Sequence, residues 1–260
     1  MRVLNIVTSP RKDQSASRAL VDAFLREYTR QADGVVVDTL DVWQEWLPEF
    51  DAETINAKYK GVSGEPMTPA EVTAWKKIRE LASRFQSADR IVIGVPMWNF
   101  SFPYKLKQLI DLSCQRNMLF TFDGKRYGPS LHIDKAFVVF VRGQSDEAGF
   151  ETVPQPGFQY LSGYVEFWLR FIGVREVVTL ALEHTWDGRA IDMIDAGKRK
   201  ATELARQFLK RRVRADAAFG PSLQFAATPD VGRFRTEADM NRLARPAASV
   251  ANDPKRTSPS

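Results

Sequence analysis

The sequence predicts a doubly wound α/β domain, with a five-stranded parallel sheet and helices on both faces. Three observations carry that expectation. Five short, nearly continuous apolar runs are separated by longer stretches whose apolar residues recur at helical spacing. Runs such as Ile91-Val92-Ile93-Gly94-Val95 suit strands covered on both faces, the normal state of a parallel sheet. The chain is also long enough, at 260 residues with 44% apolar and 27% charged, to enclose one sizeable core.

The elements follow in order. Val3-Leu4-Asn5-Ile6-Val7 is an apolar run that stops at Thr8-Ser9-Pro10, a strand and a breaker. Residues 17 to 31 place Leu20, Val21, Phe24, Leu25 and Tyr28 at helical spacing. Val35-Val36-Val37 opens a second strand, running to about Val42. Residues 43 to 68, with Trp43, Trp46, Leu47 and Pro48, read as a long irregular excursion. Thr68-Pro69-Ala70-Glu71 combines a Thr cap, Pro at the first helical position and Glu three residues after the cap. That helix should run to about Ser87, followed by the third strand at 91–95 and a helix over 102–116. Phe120-Thr121-Phe122, a turn at Asp123-Gly124 and a return through Tyr127 form a small hairpin. Ala136 to Val141 and Val177 to Leu182 are the fourth and fifth buried strands. Helices span about 157–172 and 189–214. The domain is therefore expected to occupy residues 1–214. Residues 215–260 hold ten Ala, five Pro and four Ser and read as a flexible tail.

Composition removes several classes of function. One cysteine, Cys114, allows no intrachain disulfide and no multi-cysteine metal site, and at near-core spacing within its helix it reads as an inert buried thiol. Two histidines, His132 and His184, leave nothing for a zinc site or a histidine-based triad, so no metal is expected. No apolar run reaches the ~18 residues of a membrane span, charges follow Met1 within ten residues, and the expected compartment is the cytoplasm. Net charge is +5, but residues 196–260 carry 14 Lys/Arg against 6 Asp/Glu. Eight of those cations lie between Lys198 and Arg214, a run that could neutralise phosphates. It lacks the interleaved aromatics of a single-strand binder and reads as the solvated face of the last helix, so nucleic acid is not an expected partner.

In an open α/β sheet the ligand sits beyond the carboxyl ends of the strands, where strand order reverses. The loop after the first strand, residues 8–17, lacks both G-x-G-x-x-G and the P-loop pattern. It offers instead three serines, Ser9, Ser15 and Ser17, at a helix N-terminus, where free N–H groups and partial positive charge suit a phosphate; a simple helix cap explains the loop equally well. The loop after the third strand, Pro96-Met97-Trp98-Asn99-Phe100-Ser101-Phe102-Pro103, gathers large apolar and aromatic residues where a solvated loop prefers small polar ones. It either borders a planar heterocycle or packs onto the core beneath it.

Residues 9 to 17, Pro96-Met97-Trp98-Asn99-Phe100 with Pro103, Leu106, Lys107 and Asp111, and Phe120-Thr121-Phe122 together resemble the FMN-dependent NADH-azoreductase family. The likeness runs over about residues 1 to 210. That family is a flavodoxin-like group of NAD(P)H:quinone and azo-dye reductases. The resemblance implies that Ser9, Ser15, Ala16 and Ser17 surround the FMN phosphate. It further implies that Pro96, Met97, Trp98, Asn99 and Phe100 line the ribityl chain and ring, and that Arg142, Gly143 and Gln144 reach the pyrimidine edge. It implies a homodimer in which Phe120 faces the flavin of the partner subunit and the 43–68 excursion roofs the site. The implied cycle is ping-pong: NADH or NADPH gives hydride to flavin N5, then a quinone or azo compound takes two electrons, with no catalytic side chain required. His184 follows the fifth strand on the ligand edge; it is a substrate-pocket candidate, but the residues around it favour a solvated loop histidine. Three departures from the family pattern stand out. Trp98 replaces Tyr, Ala16 replaces Gln, and Val141-Arg142-Gly143-Gln144 replaces Ser-Arg-Gly-Gly. They imply weaker FMN binding or a pocket shaped for another acceptor. A non-catalytic electron carrier or redox sensor is the alternative; the long excursion and the lack of net acidity favour the enzyme.

Overall fold

The computed structural model of the chain describes residues 1–145 and 159–209. The expected tail and cations 210, 211, 212 and 214 lie outside the described residues. Five strands form the parallel sheet: β1 (Arg2–Val7), β2 (Val36–Asp41), β3 (Arg90–Pro96), β6 (Ile133–Val141) and β7 (Val174–Leu182), in the order β2-β1-β3-β6-β7. A two-stranded antiparallel hairpin, β4 (Phe120–Phe122) and β5 (Tyr127–Pro129), stands apart from it. The helices are α1 (Ala16–Gln31), α2 (Ala52–Ser63), α3 (Pro69–Gln86), α4 (Tyr104–Ser113), α5 (Gln159–Ile172) and α6 (Ala190–Phe208). From β1 the chain moves outward to β2, then returns across β1 to β3, so strand order reverses between β1 and β3. A crevice opens there because successive connections leave on opposite faces.

The pleat sends alternate residues into two cores. Val3, Val92, Phe137 and Val139 face α1 and α6, meeting Leu20, Phe24, Tyr28, Ala201 and Phe208. Leu4, Ile6, Ile91, Ile93, Val95, Ala136 and Val138 face the other layer, with Ile78, Phe85, Leu109 and Leu169 from α3, α4 and α5. Phe24 and Phe137 stack with centroids 4.0 Å apart at 11°, and Phe208 meets Phe24 edge-on. Burying each ring contributes about 2–3 kcal/mol. The central strands are buried almost end to end, as their apolar runs require. Val177–Leu182 is a strand as expected, but it is an edge strand whose solvent side is uncovered, and it begins earlier, at Val174. Among the described residues no helix is long and apolar enough to cross a membrane.

Local chemistry explains the element ends. Thr68 and Glu71 form the reciprocal cap expected of α3, with Thr68 Oγ1 accepting from Glu71 N and the Glu71 carboxylate accepting from Thr68 N. The same carboxylate binds Lys60 Nζ at 2.8 and 2.9 Å, which ties α2 to α3. Helix α2 corrects the reading of 43–68 as irregular. Its interior is polar and contains Gly61, which hides the periodicity, but Asp51 caps its start and Gly64, at φ +76°, ends it. Gly173 turns the chain from α5 into β7 at φ +116°, and a Cβ there would overlap the Leu131 carbonyl, so no other residue fits.

Helices α1 and α6 are clasped by Glu27. Its carboxylate accepts from Arg30 Nε (3.0 Å) and from Arg206 Nε (2.8 Å) across the helix pair. Those two guanidiniums hold the carboxyl far below the usual carboxylate range. A carboxyl whose folded pKa is depressed contributes stability above the unfolded value of about 4.3, and loses that contribution as pH falls through its folded pKa. Glu27→Gln should therefore have a lower urea midpoint than the parent at pH 7. That gap should narrow as the pH of the titration is taken below about 4.

Candidate active site at the strand-order reversal

The serine loop leaves β1 at Thr8, which is fully buried and donates its hydroxyl to the Gly94 carbonyl at 2.7 Å. Ser9, just past β1, and Ser15 and Ser17, at the start of α1, are all buried; Ser9 Oγ accepts from Arg11 N at 3.4 Å, and the Ser15 and Ser17 hydroxyls lie 3.1 Å apart. Ser15 is the N-cap, its Oγ accepting from Arg18 N (3.3 Å), so the capping explanation is correct for that residue. A cap satisfies one of the first-turn donors. The amides of Ala16 and Ser17 have no acceptor within the helix, and partial positive charge gathers beside them. Gly94 lets this turn approach the sheet: a Cβ on it would stand 3.1 Å from the Ser17 carbonyl oxygen.

Pro96 ends β3, and Met97 N donates to the Val141 carbonyl (2.8 Å), which fastens the aromatic loop to the end of β6. Trp98 and Ser101 then exchange backbone hydrogen bonds of 2.8 and 3.0 Å around Asn99 (φ +47°) and Phe100 (φ +65°). Two central residues at positive φ make this a type I′ turn. Trp98 and Phe100 are exposed on it rather than folded into the core beneath. Left-handed backbone at a bulky aromatic costs about 1–2 kcal/mol, and such strain gathers at functional sites.

The remaining candidates divide. Arg142 pairs with Glu183 (3.2 Å) at the ends of β6 and β7. The Trp186 indole lies across Gly143, its ring 2.7 Å from where a Cβ would be, yet it is 82% exposed. Thr185 Oγ1 donates to the Arg142 carbonyl (2.9 Å), so the loops after β6 and β7 are joined. Gln144 is exposed and has no positive φ, so the glycine-to-glutamine departure costs no backbone strain. Val141 points into the α1/α6 core. His184, at φ +60°, holds its Nδ1 2.9 Å from Asp187 Oδ2 and 2.7 Å from Arg189. The Arg189 guanidinium and the His184 ring keep the Asp187 carboxyl low, at about 2. Phe120 is not brought to this cluster. Its ring packs on Phe171 of α5 (5.1 Å) and on Tyr127 (5.8 Å).

Two further residues, which no motif singled out, join the cluster, although residue 43 belongs to the excursion expected to roof the site. Trp43 donates its indole N–H to the Thr8 carbonyl and faces Trp98, and Trp186 covers Gly143. A tryptophan within four residues of a strand's carboxyl end was the available signal for each. Cys114 caps the C-terminus of α4 rather than lying mid-helix; burial beside Asp111 pushes its thiol up to about 11, in keeping with an inert thiol. Of the described cations on α6, Lys198, Lys200 and Arg206 are paired with Asp195, Glu203 and Glu27, as a solvated helix face requires. No group of metal-binding side chains occurs among the described residues.

Relief of the left-handed backbone at Phe100 exceeds the about 0.5–1 kcal/mol that glycine loses in chain entropy. Phe100→Gly and Phe100→Ala both remove the ring and differ in backbone cost, so the glycine variant should be the more stable of the two by about 1 kcal/mol in urea denaturation.

A family model described as flavodoxin-like fold matches residues 1–206. FMN-dependent NADH:quinone oxidoreductase 2 of Burkholderia lata is 56% identical over 208 residues, which is 80% of this chain and all of that protein. FMN-dependent NADH:quinone oxidoreductase 3 of Pseudomonas fluorescens is 37% identical over 213 residues, 81% of this chain and 99% of that one. Among solved structures, an azoreductase from Bacillus anthracis superposes with a TM-score of 0.72 at 26% identity, covering 80% of this chain and all of its own. Strand order, crevice position and these relatives agree: the chain belongs to the flavodoxin-like family of FMN-dependent NADH:quinone oxidoreductases.

Proposed function

We propose that this protein is an FMN-dependent oxidoreductase that takes reducing equivalents from NADH and reduces quinones and azo compounds. One observation carries the reading: buried Ser15 and Ser17 at the N-terminus of α1, with buried Ser9 just past β1, lie at the strand-order reversal, and Trp43 links this loop to a strained aromatic turn. The donor set fits the cofactor. Hydroxyls and first-turn amides match a phosphate, and the exposed faces of Trp98 and Phe100 match a flat ring.

Ser9, Ser15 and Ser17, with the amides of Ala16 and Ser17, would hold the phosphate. Met97, Trp98, Asn99 and Phe100 would line the ring through the turn's backbone. The Arg142–Glu183 pair and the Trp186 ring over Gly143 would border the far edge. FMN supplies hydride and two-electron chemistry when bound. His184, oriented by Asp187 and Arg189, would line the acceptor side. Trp98 offers a larger flat face than Tyr, Ala16 leaves the phosphate to hydroxyls and amides alone, and the Val141 side chain serves the core.

The active form is a homodimer in this reading. Tyr160, Tyr164, Phe167 and Phe171 repeat every three or four residues along one face of α5, and Tyr160 and Phe167 are 69% and 63% exposed. Phe171 joins this stripe to Phe120 and Tyr127 of the hairpin, so the aromatic surface is continuous. A soluble monomer rarely leaves such a surface bare.

The spectrum of the purified protein, with FMN added if it is colourless, should show a bound flavin that anaerobic NADH bleaches and a benzoquinone restores. Flavin that binds but is not reduced by NADH makes the protein an electron carrier, and no uptake of FMN limits the likeness to fold. Phe167→Glu should turn a dimer into a monomer in sedimentation equilibrium, and a parent that already sediments as a monomer overturns the dimer.

A further inference from the structure

The stretch that follows β2 reaches the crevice through Trp43. Its indole N–H donates to the Thr8 carbonyl at 2.9 Å, immediately before Ser9 of the serine loop. Its ring stands 5.8 Å from Trp98 of the aromatic turn, tilted at 47°. The edge of Tyr104, in the first turn of α4, closes on it from a third side at 5.5 Å. Trp43 is itself anchored, its backbone N–H donating to Asp41 Oδ1 (2.9 Å) and its side chain half-buried. An indole is a rigid plane with few rotatable bonds, so a contact at each end fixes a distance between the two loops.

We propose that Trp43 is a positioning residue that sets the spacing between the serine loop and the aromatic turn, and so the fit of a ligand that carries a phosphate at one end and a flat ring at the other. This rests on the reading that those loops hold FMN. The two contacts act at different ends. The indole N–H governs the phosphate end through Thr8, whereas the ring face governs the heterocycle end through Trp98.

The ends can be separated with two ligands, FMN and riboflavin, which share the ring and differ in the phosphate. Binding is read from the quenching of flavin fluorescence by the apoprotein, with thermal melts run alongside. Trp43→Phe keeps a ring and loses the donor. It should weaken FMN about 5–10-fold, the worth of one hydrogen bond, and leave riboflavin unchanged. Trp43→Leu removes the aromatic contact as well and should weaken both ligands. Trp43→Tyr also lacks the indole N–H and decides the question if Trp43→Phe does not fold. Equal loss of both ligands in Trp43→Phe, or loss of neither, overturns the proposal; a lowered melting temperature alone marks a merely structural residue. Ser9→Ala separates the two layers of inference. If it narrows the preference for FMN over riboflavin and Trp43→Phe does not, the role of Trp43 falls and the site stands. If neither changes that preference, the serine loop is not the phosphate site and both fall.

Discussion

Gly94 lies in the central strand β3, and the backbone of Ser17 fills the space where its side chain would be. That approach sets the first turn of α1 directly on the sheet, above the gap between β1 and β3. Thr8 seals the contact from the β1 side by donating its buried hydroxyl to the Gly94 carbonyl. With the helix end fixed there, the first-turn amides that no helix carbonyl accepts lie beside the Ser15 and Ser17 hydroxyls, which are 3.1 Å apart. A Cβ at position 94 would stand 3.1–3.2 Å from Ser17, so the helix end would have to give by a few tenths of an ångström.

Each strand end at this edge is tied to its neighbour. Met97 N reaches the Val141 carbonyl, Arg142 reaches Glu183, Thr185 reaches the Arg142 carbonyl, and Trp43 reaches Thr8. These links are made by loops, but they leave little freedom between the loops. Three bulky residues, Lys12, Phe100 and His184, stand in left-handed backbone within this frame. Strain of that kind persists because the surrounding hydrogen bonds over-determine it.

Much of this was legible from residue order. The capping box at Thr68 and Glu71, the hairpin around Asp123-Gly124, the five strands and the serine loop at a helix start all rest on short-range chemistry, which a window of ten residues contains. Helix α2 was not legible, because among its described side chains only Thr54 and Ala57 are buried, and its tie to α3 is the Lys60–Glu71 pair, eleven residues apart. Trp43 was not legible either. It is one of two tryptophans in a stretch without clear periodicity, and its partners lie 35 and 55 positions away. The edge position of β7 was hidden by an apolar run that looks the same whether one face or two are covered.

The sequence by itself determined the alternation of strand and helix, the caps, the turn residues and the set of hydroxyl and aromatic groups available to a ligand. Each of these is a property of neighbouring residues, set by backbone sterics, by side-chain hydrogen bonds to nearby amides and by hydrophobic period. Only the tertiary structure decided that Trp43 joins the two loops, that Trp186 covers Gly143 and that the α5 stripe meets the hairpin as one surface. Those contacts depend on the strand order and on the twist and spacing of the sheet. Both arise from packing the whole core at once, and no local stretch of the chain encodes them.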